Sequence, residues 1–324
     1  MPQKKRNKPI LPYRLQSTAD KGKVVVAGRN IKQGTVIFQE DPILYTTDIS
    51  DEDILSQFHK LDLKEQEKVL SLATIPEDDS TKKVLSLFRR RNINNSKCKG
   101  GQALYFVLSR IKHSCGPNVL LSPVSGKGFG KIEIRACRDI QKGDELRADY
   151  LPGINLFEPK KDRAKVFGEN FTCDCPVCSL GPTDSEVNEA TRQKIKEHYR
   201  NTSIYMTLGD FLQAFEHCKK MLVELERLGD EVFQKRLSVS LECWQLAVLA
   251  KLQRPEVEIE VETFRENARQ LCCVLGKALL SKWEKTDENV DNRKYTEFDT
   301  VKLRSSGPWA VQIIQNLTQN KNEA

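Results

Sequence analysis

The sequence predicts an α+β protein: a β-rich first half carrying a helical insert, followed by an all-α domain of helical hairpins. Three observations predict it. Short β-branched runs bounded by glycine turns recur through the first 150 residues, as at Val24, Val25 and Val26 and again over residues 131–136. Residues 46–100 break that pattern with apolar positions at helical spacing. From Ser185 to about Gly276 the chain reads as consecutive amphipathic helices parted by short turns.

A chain of 324 residues can bury a large core and is expected to form two domains. Its 39% hydrophobic and 30% charged content suits a globular protein rather than a disordered one. No apolar run approaches the length of a membrane span, and no apolar core follows the basic start MPQKKRNK. Neither a membrane nor a secretory signal is therefore expected, and the expected location is nucleus and/or cytoplasm. Lys4, Lys5 and Arg6 fit a short nuclear address. Thiols stay reduced in those compartments, so the ten cysteines read as metal ligands or buried apolar residues, not as a disulfide framework. The net charge of +7 fits an acidic partner, a nucleic-acid surface or an ordinary solvated surface. Direct nucleic-acid binding is not expected, because the cysteines lack finger spacing and no basic-aromatic stripe accompanies them.

Residues 1–20 are expected to be a flexible basic arm. Gly22 then opens the valine strand, Lys32, Gln33 and Gly34 make a tight turn, and residues 35–38 form a second strand, which together read as a β-hairpin. The run RNIKQGTVI at residues 29–37 has an echo, RDIQKGDEL, at residues 138–146. Two copies do not make a solenoid, which needs about three or more units, so the echo reads as two similar turns in one β-rich fold. In the insert, residues 51–72 are expected to be helical, capped by Ser50 and Asp51 and broken by Pro76, with a second helix over residues 81–91. Residues 131–136 alternate as a strand, and residues 145–150 read as a short strand ending in Tyr150. Gly181 and Pro182 mark a domain boundary. Beyond it, Phe211, Phe215, Cys218, Met221, Leu222 and Leu225 form one apolar stripe, with turns at Leu208-Gly209, Leu228-Gly229 and Arg254-Pro255. Residues 284–307 are polar, and Pro308 and Trp309 open a last apolar segment.

Two stretches carry the chemistry. Residues 109–118 read SRIKHSCGPN, a loop with a thiol two residues after a histidine and a Gly-Pro turn, pinned by apolar runs on both sides. Residues 171–178 read FTCDCPVC, with three thiols in six residues. Neither stretch has a complete metal site alone, but Cys115, Cys173, Cys175 and Cys178 together supply four cysteines, the number a closed tetrahedral zinc site needs. Cys98, Cys137, Cys218, Cys243, Cys272 and Cys273 have no ligand spacing and read as buried small apolar residues.

The stretch SRIKHSCGPN resembles the Asn-His-Ser-Cys-x-Pro-Asn signature of SET-domain protein lysine methyltransferases. Asp149 and Tyr150 look like the catalytic tyrosine strand of that family, and Cys173, Cys175 and Cys178 like its post-SET zinc cluster. The resemblance covers about residues 21–178. It implies a SET domain over residues 21–151 with a helical insert at 46–100, a post-SET zinc segment at 152–182, and a C-terminal helical domain at 183–324. That last domain resembles the tetratricopeptide-like domain of SET-and-MYND proteins. No cysteine lies between Met1 and Lys97, so the MYND zinc finger is absent there, and the architecture is closer to fungal-type SET proteins.

The activity implied is S-adenosylmethionine-dependent N-methylation of a lysine on a histone or another protein. The resemblance implies Tyr150 as the catalytic hydroxyl, and Gly22, Lys23, Val24, Lys112, His113, Tyr150 and Phe171 as the cofactor-binding set, with zinc on the four thiolates. Cys115 is preferred over His113 as fourth metal ligand because thiolates supply the other three. Two positions depart from the family pattern: Lys112 stands where the family has Asn, and Val24 where it has Gly. Either the site tolerates both, because many family contacts are made by backbone, or cofactor binding is lost. The alternative is therefore a catalytically impaired SET-like scaffold that recruits protein partners through the helical domain. The sequence leaves the substrate, the methylation state and the oligomeric state open.

Overall fold

A computed structural model of the chain describes residues 11–18, 22–47, 50–73, 79–91, 93–94, 101–124, 130–151, 153–168, 171–274 and 284. Lys4, Lys5, Arg6, Pro76, Cys98, the stretch beyond residue 284 and the segment opened by Pro308 lie outside the described residues. The chain forms two compact units: Met1–Lys112 with Leu121–Arg147, and His113–Leu120 with Ala148–Ala324.

In the first unit, strand β1 (Tyr13–Thr18) pairs antiparallel with β2 (Gly22–Ala27), in a register running from Tyr13 opposite Ala27 to Thr18 opposite Gly22. This corrects two expectations. Residues 13–18 are a strand rather than part of a flexible arm, and β2 does not fold forward onto residues 35–38. The reason is burial. Val24, Val25, Val26 and Ala27 are all buried, so β2 needs a neighbour on both edges. β1 takes one edge. Residues 143–146 take the other, through Gly143 N–H to Ala27 O (2.8 Å), Ala27 N–H to Asp144 O (2.8 Å) and Leu146 N–H to Val25 O (2.8 Å). The forward segment, β3 (Val36–Glu40), pairs instead with a distant strand, Ile132–Ala136, through a register shift between Val36 and Phe38.

The sequence echo has a structural meaning: the two copies pair with each other. Ile31 and Ile140 exchange both backbone hydrogen bonds at 2.9 Å. Around that pair the contacts repeat with near two-fold symmetry. Gln33 N–H donates to Asp139 Oδ1 (2.9 Å), and its counterpart Lys142 N–H donates to Asn30 Oδ1 (2.8 Å). Gly34 N–H donates to Ala136 O, as Gly143 N–H does to Ala27 O. Both glycines have positive φ, 80° and 96°, which is why the echo keeps glycine at that place.

The insert has its own sheet and core. Strand β4 (Leu44–Thr46) is followed by α1 (Asp51–His59), α2 (Leu63–Leu70), α3 (Ser80–Arg91), β5 (Ile93–Asn94) and β6 (Gln102–Leu104). β6 lies between β4 and β5. Ile54, Phe58, Val69, Val84 and Phe88 pack with Leu44 and Leu104. Ser50 caps α1 as expected, its Oγ accepting from Asp53 N–H at 3.2 Å. The single helix expected over residues 51–72 is two helices, because Asp62 and Glu65 form a capping box that starts α2 afresh. After β6 the Glu40 carboxylate accepts the N–H groups of Val107 (2.7 Å) and Leu108 (2.9 Å), fixing the 3₁₀ turn Leu108–Arg110 that leads into the loop carrying His113 and Cys115.

Three short strands have residues in both units: β7 (Lys112–His113), β8 (Val119–Pro123) and β10 (Arg147–Ala148), with β9 the strand Ile132–Ala136. In the second unit β8 and β10 run parallel, with Ala148 opposite Val119. Tyr150 lies two residues past β10 rather than on a strand. A short helix, α4 (Lys160–Lys165), precedes the cysteine run. Then come α5 (Pro182–Leu208), α6 (Phe211–Leu228), α7 (Phe233–Gln253) and α8 (Glu258–Val274), breaking at the turns expected from the sequence. Gly209 ends α5 in the left-handed conformation, and Asp210 caps α6 through Gln213 N–H. α7 is buried almost all round, from Leu237 and Leu241 to Trp244 and Leu249. One apolar core runs from Cys115, Leu156, Phe157 and Val177 to Ile195, Phe215 and Leu246, so it continues past Gly181 and Pro182 into the helices.

Candidate active site and metal centre

The thiols of Cys115, Cys173, Cys175 and Cys178 all lie within 4.8 Å of one another. A tetrahedral zinc with Zn–S bonds of about 2.3 Å separates its sulfurs by about 3.8 Å, and Cys115 Sγ and Cys178 Sγ are 3.7 Å apart. The donor set therefore fits a closed structural zinc site. Among the described residues this is the one group of three or more such side chains able to hold a metal.

Local structure explains the fit. Cys175, Pro176 and Val177 enter a 3₁₀ turn, which aims the N–H of Cys178 at Cys175 Sγ (3.4 Å). The N–H of Cys115 donates to the same sulfur at 3.4 Å. With hydrogen bonds from the Cys115, Cys173 and Cys178 thiols added, the Cys175 thiol is pulled well below the ordinary thiol range. Gly116 is needed for close approach: a Cβ there would come within 2.8 Å of Val177 Cγ2. Cys137, Cys218, Cys243 and Cys272 are buried as expected, but Cys273 is exposed, since it follows Cys272 onto the outer face of α8.

His113 is buried beside this cluster and is not one of its ligands. Its Nδ1 accepts the backbone N–H of Tyr150 at 3.2 Å. Accepting there leaves Nε2 as the protonated nitrogen of the neutral ring, and Nε2 faces Cys115 Sγ at 3.4 Å. One imidazole thus joins the thiol cluster to the backbone of Tyr150. A row of rings continues outward. His113 lies 4.8 Å from Phe167 between centroids, and Phe167 lies 4.6 Å from Phe171. Phe167 is a member of this row that the sequence reading passes over, because no spacing rule links it to His113.

The Asp149 side chain is only 7% exposed, and burial raises its pKa, against the lowering pull of the Lys235 cation. Its Oδ1 accepts Leu151 N–H at 2.9 Å. Arg192, on α5, is fully buried and donates to Cys115 O (3.0 Å), Leu156 O (2.8 Å) and Asn188 Oδ1 (2.7 Å). Arg163, on α4, reaches Cys178 Sγ at 3.8 Å and Glu189 Oε1 at 2.8 Å. Nothing in the sequence pattern marks Arg163, Arg192 or Lys235, since each acts across a long separation.

The remaining site residues named from the sequence lie in the first unit. Gly22 has φ +68°, a conformation that favours glycine, and a Cβ there would meet nothing within 4 Å. Lys23 is exposed and Val24 is buried in the core. Lys112 is half-buried, and its Nζ lies 3.8 Å from Glu145 Oε1, so its charge has an acidic partner.

The SET domain family profile matches residues 22–151. Over those residues the chain is similar to SET domains. Among curated relatives it is similar to histone-lysine N-methyltransferase set5 of Schizosaccharomyces pombe, at 27% identity over 221 residues, 63% of this chain and 63% of that protein. It is also similar to N-lysine methyltransferase SMYD2 of Gallus gallus, at 31% identity over 148 residues, 40% of this chain and 31% of that protein. The chain thus spans less than two thirds of the first relative and less than one third of the second. The solved SET domain of LSMT, bound to lysine and AdoHcy, matches 96% of this chain at 12% identity with a TM-score of 0.29, a likeness that carries no argument. The SET match and these relatives agree with the family read from residues 109–118, 149–150 and 171–178.

Proposed function

We propose that the chain is an S-adenosylmethionine-dependent protein lysine N-methyltransferase acting on a histone or another protein. The SET match over residues 22–151, with lysine methyltransferases as its relatives, is the observation that supports it. In this reading Tyr150 is the catalytic residue, and Gly22, Lys23, Val24, Lys112, His113, Tyr150 and Phe171 contribute to cofactor binding.

The cofactor supplies a methyl group on a positively charged sulfur. The substrate amine attacks that carbon with its lone pair as the carbon–sulfur bond breaks, so it must first give up a proton. An unperturbed lysine, with pKa about 10.4, is only about 0.04% neutral at pH 7. A desolvated setting lowers that pKa; beside Tyr150, Leu151 is buried and the Asp149 side chain is only 7% exposed. The Tyr150 hydroxyl would orient the amine and interact with the polarised methyl group. His113 would hold the Tyr150 backbone through its ring nitrogen.

Zinc on Cys115, Cys173, Cys175 and Cys178 is structural in this reading, since four thiolates leave no open position for a reacting ligand. The helical domain would carry protein partners, and the nucleus or cytoplasm would be the place of action. The pairing of Lys112 with Glu145 supports tolerance of a lysine where the family has Asn, because the cation is not left alone near a sulfonium.

The test is transfer of labelled methyl groups from S-adenosylmethionine to histones and to an extract of unmodified proteins. Transfer by the wild type, greatly reduced in Tyr150→Phe, is the expected result. Absence of both transfer and cofactor binding in zinc-loaded protein would reject the enzyme reading and leave the scaffold.

A further inference from the structure

Three held backbone atoms surround Tyr150, and one of the side chains that hold them comes from the helical domain. The Tyr150 N–H is held by His113 Nδ1 at 3.2 Å, and the Leu151 N–H by Asp149 Oδ1 at 2.9 Å. The Gly153 carbonyl accepts from Lys235 Nζ at 2.9 Å. The same Nζ lies 3.7 Å from Asp149 Oδ2. Lys235 therefore touches Asp149 on one side of Tyr150 and Gly153 on the other, as a staple would. Asp149 is 7% exposed at its side chain, so this ion pair is largely screened from water.

The position of Lys235 on its helix is unfavourable by local rules. It is the third residue of α7, which has no acidic residue in its first turn and no side-chain cap. A cation there faces the positive end of the helix dipole. The compensating carboxylate lies 86 positions away in sequence, by subtraction of 149 from 235, and directly beside the tyrosine. Arg192 on α5 is the other cation acting on Asp149.

We propose that Lys235 is a positioning residue for Tyr150, which makes the first turn of α7 part of the methyl-transfer machinery. This inference rests on the reading of Tyr150 as the catalytic tyrosine. With the ammonium in place, the upward push of burial on the Asp149 carboxyl is opposed and the Gly153 carbonyl stays anchored, so the tyrosine is presented from a segment fixed at both Asp149 and Gly153. Without it, the buried carboxylate loses its nearest cation and the segment loses its second anchor.

The experiment uses the full chain loaded with zinc and compares the wild type, Lys235→Met and Lys235→Arg. Methionine keeps the stem and removes the charge, while arginine keeps the charge. Hydrogen exchange is read on peptides covering residues 148–154, and methyl transfer is measured as kcat and KM over a range of pH. In Lys235→Met, exchange over residues 148–154 should rise at least tenfold while α6 stays unchanged. The kcat should fall at least tenfold with KM for S-adenosylmethionine within twofold. The acid limb of the kcat profile should move to higher pH, because Asp149 now protonates more easily. Lys235→Arg should restore most of each effect. Should Lys235→Met fail to fold, Asp149→Asn removes the pair from the other side and should loosen the same peptide. Unchanged exchange over residues 148–154 overturns the inference whatever the activity. Looser exchange with unchanged kcat overturns the catalytic role of the staple. No transfer by the wild type rejects the reading of Tyr150 instead, and the exchange data then decide the staple alone.

Discussion

Replacing Arg192 with Met tests whether one buried guanidinium holds the Cys115 loop onto the helices. Arg192 is fully buried and makes three hydrogen bonds, two of them to the main-chain carbonyls of Cys115 and Leu156. Met keeps most of the stem volume and removes every donor. Each orphaned buried carbonyl costs about 1–3 kcal/mol, so the two together cost about 2–6 kcal/mol. Part of that returns, because a cation is no longer kept out of water and close to Arg163. Burial, then Arg163, pulls the Arg192 pKa below its ordinary value, which shows that the charge is held at a cost. The expected net loss is about 3 kcal/mol. At about 2–4 °C per kcal/mol for a unit of this size, the midpoint should fall by about 6–12 °C. The assay is urea and thermal unfolding of zinc-loaded protein, with Arg254→Ala as control. That residue forms an exposed pair with Glu256 at 3.8 Å, and its loss should cost less than about 0.5 kcal/mol. Arg192→Lys should fall between, since a lysine cannot fork to two carbonyls. A loss below about 1 kcal/mol in Arg192→Met would refute the reasoning.

Four further outcomes are expected. Glu242 is buried on α7, and desolvation pushes its pKa up from the ordinary 4.5 to about 7. From pH 4.5 to 7 the unfolded chain releases a proton the folded chain keeps, so this residue's contribution to stability falls as pH rises. Glu242→Gln should therefore gain about 3 kcal/mol at pH 8 and almost nothing at pH 4.5 in urea titrations, and an equal effect at both would contradict the assignment. Stripping zinc with a chelator should lower the midpoint steeply and free four thiols for alkylation, because structural zinc contributes folding energy directly; metal analysis finding none bound in protein purified without chelator would end that claim. Tyr150→Phe should lower kcat at least a hundredfold while cofactor affinity by calorimetry changes less than threefold, and intact turnover would remove the hydroxyl from the mechanism. Lys112→Asn should change cofactor affinity less than threefold, because its ammonium has Glu145 as partner; a gain of tenfold or more, about 1.4 kcal/mol, would show that the lysine impairs the site.

The sequence by itself determined whatever depends on neighbours along the chain. The turns at Gly209 and Gly229, the Ser50 cap, the stripe from Phe211 to Leu225 and the three thiols at 173–178 follow from spacing over a few residues, and the structure keeps all of them. The SET signature around His113 and Cys115 is local in the same sense, and its pairing with the distant cysteine run was legible through the family resemblance. What the tertiary structure decided is non-local. β2 pairs backward with β1 because a strand buried on both faces must fill both edges, and strand composition does not say which segment fills them. The echo at residues 29 and 138 is visible as a repeat, but only the fold turns it into a symmetric pair. One local signal was also missed: the capping box of Asp62 and Glu65, which restarts a helix and which the apolar spacing masked. Arg163, Arg192 and Lys235 look in sequence like any solvated cation, because a long charged side chain reads the same whether its head reaches water or a buried carbonyl. Only the packing of α4, α5 and α7 around the Cys115 loop and Tyr150 gives them partners, and so gives them a task.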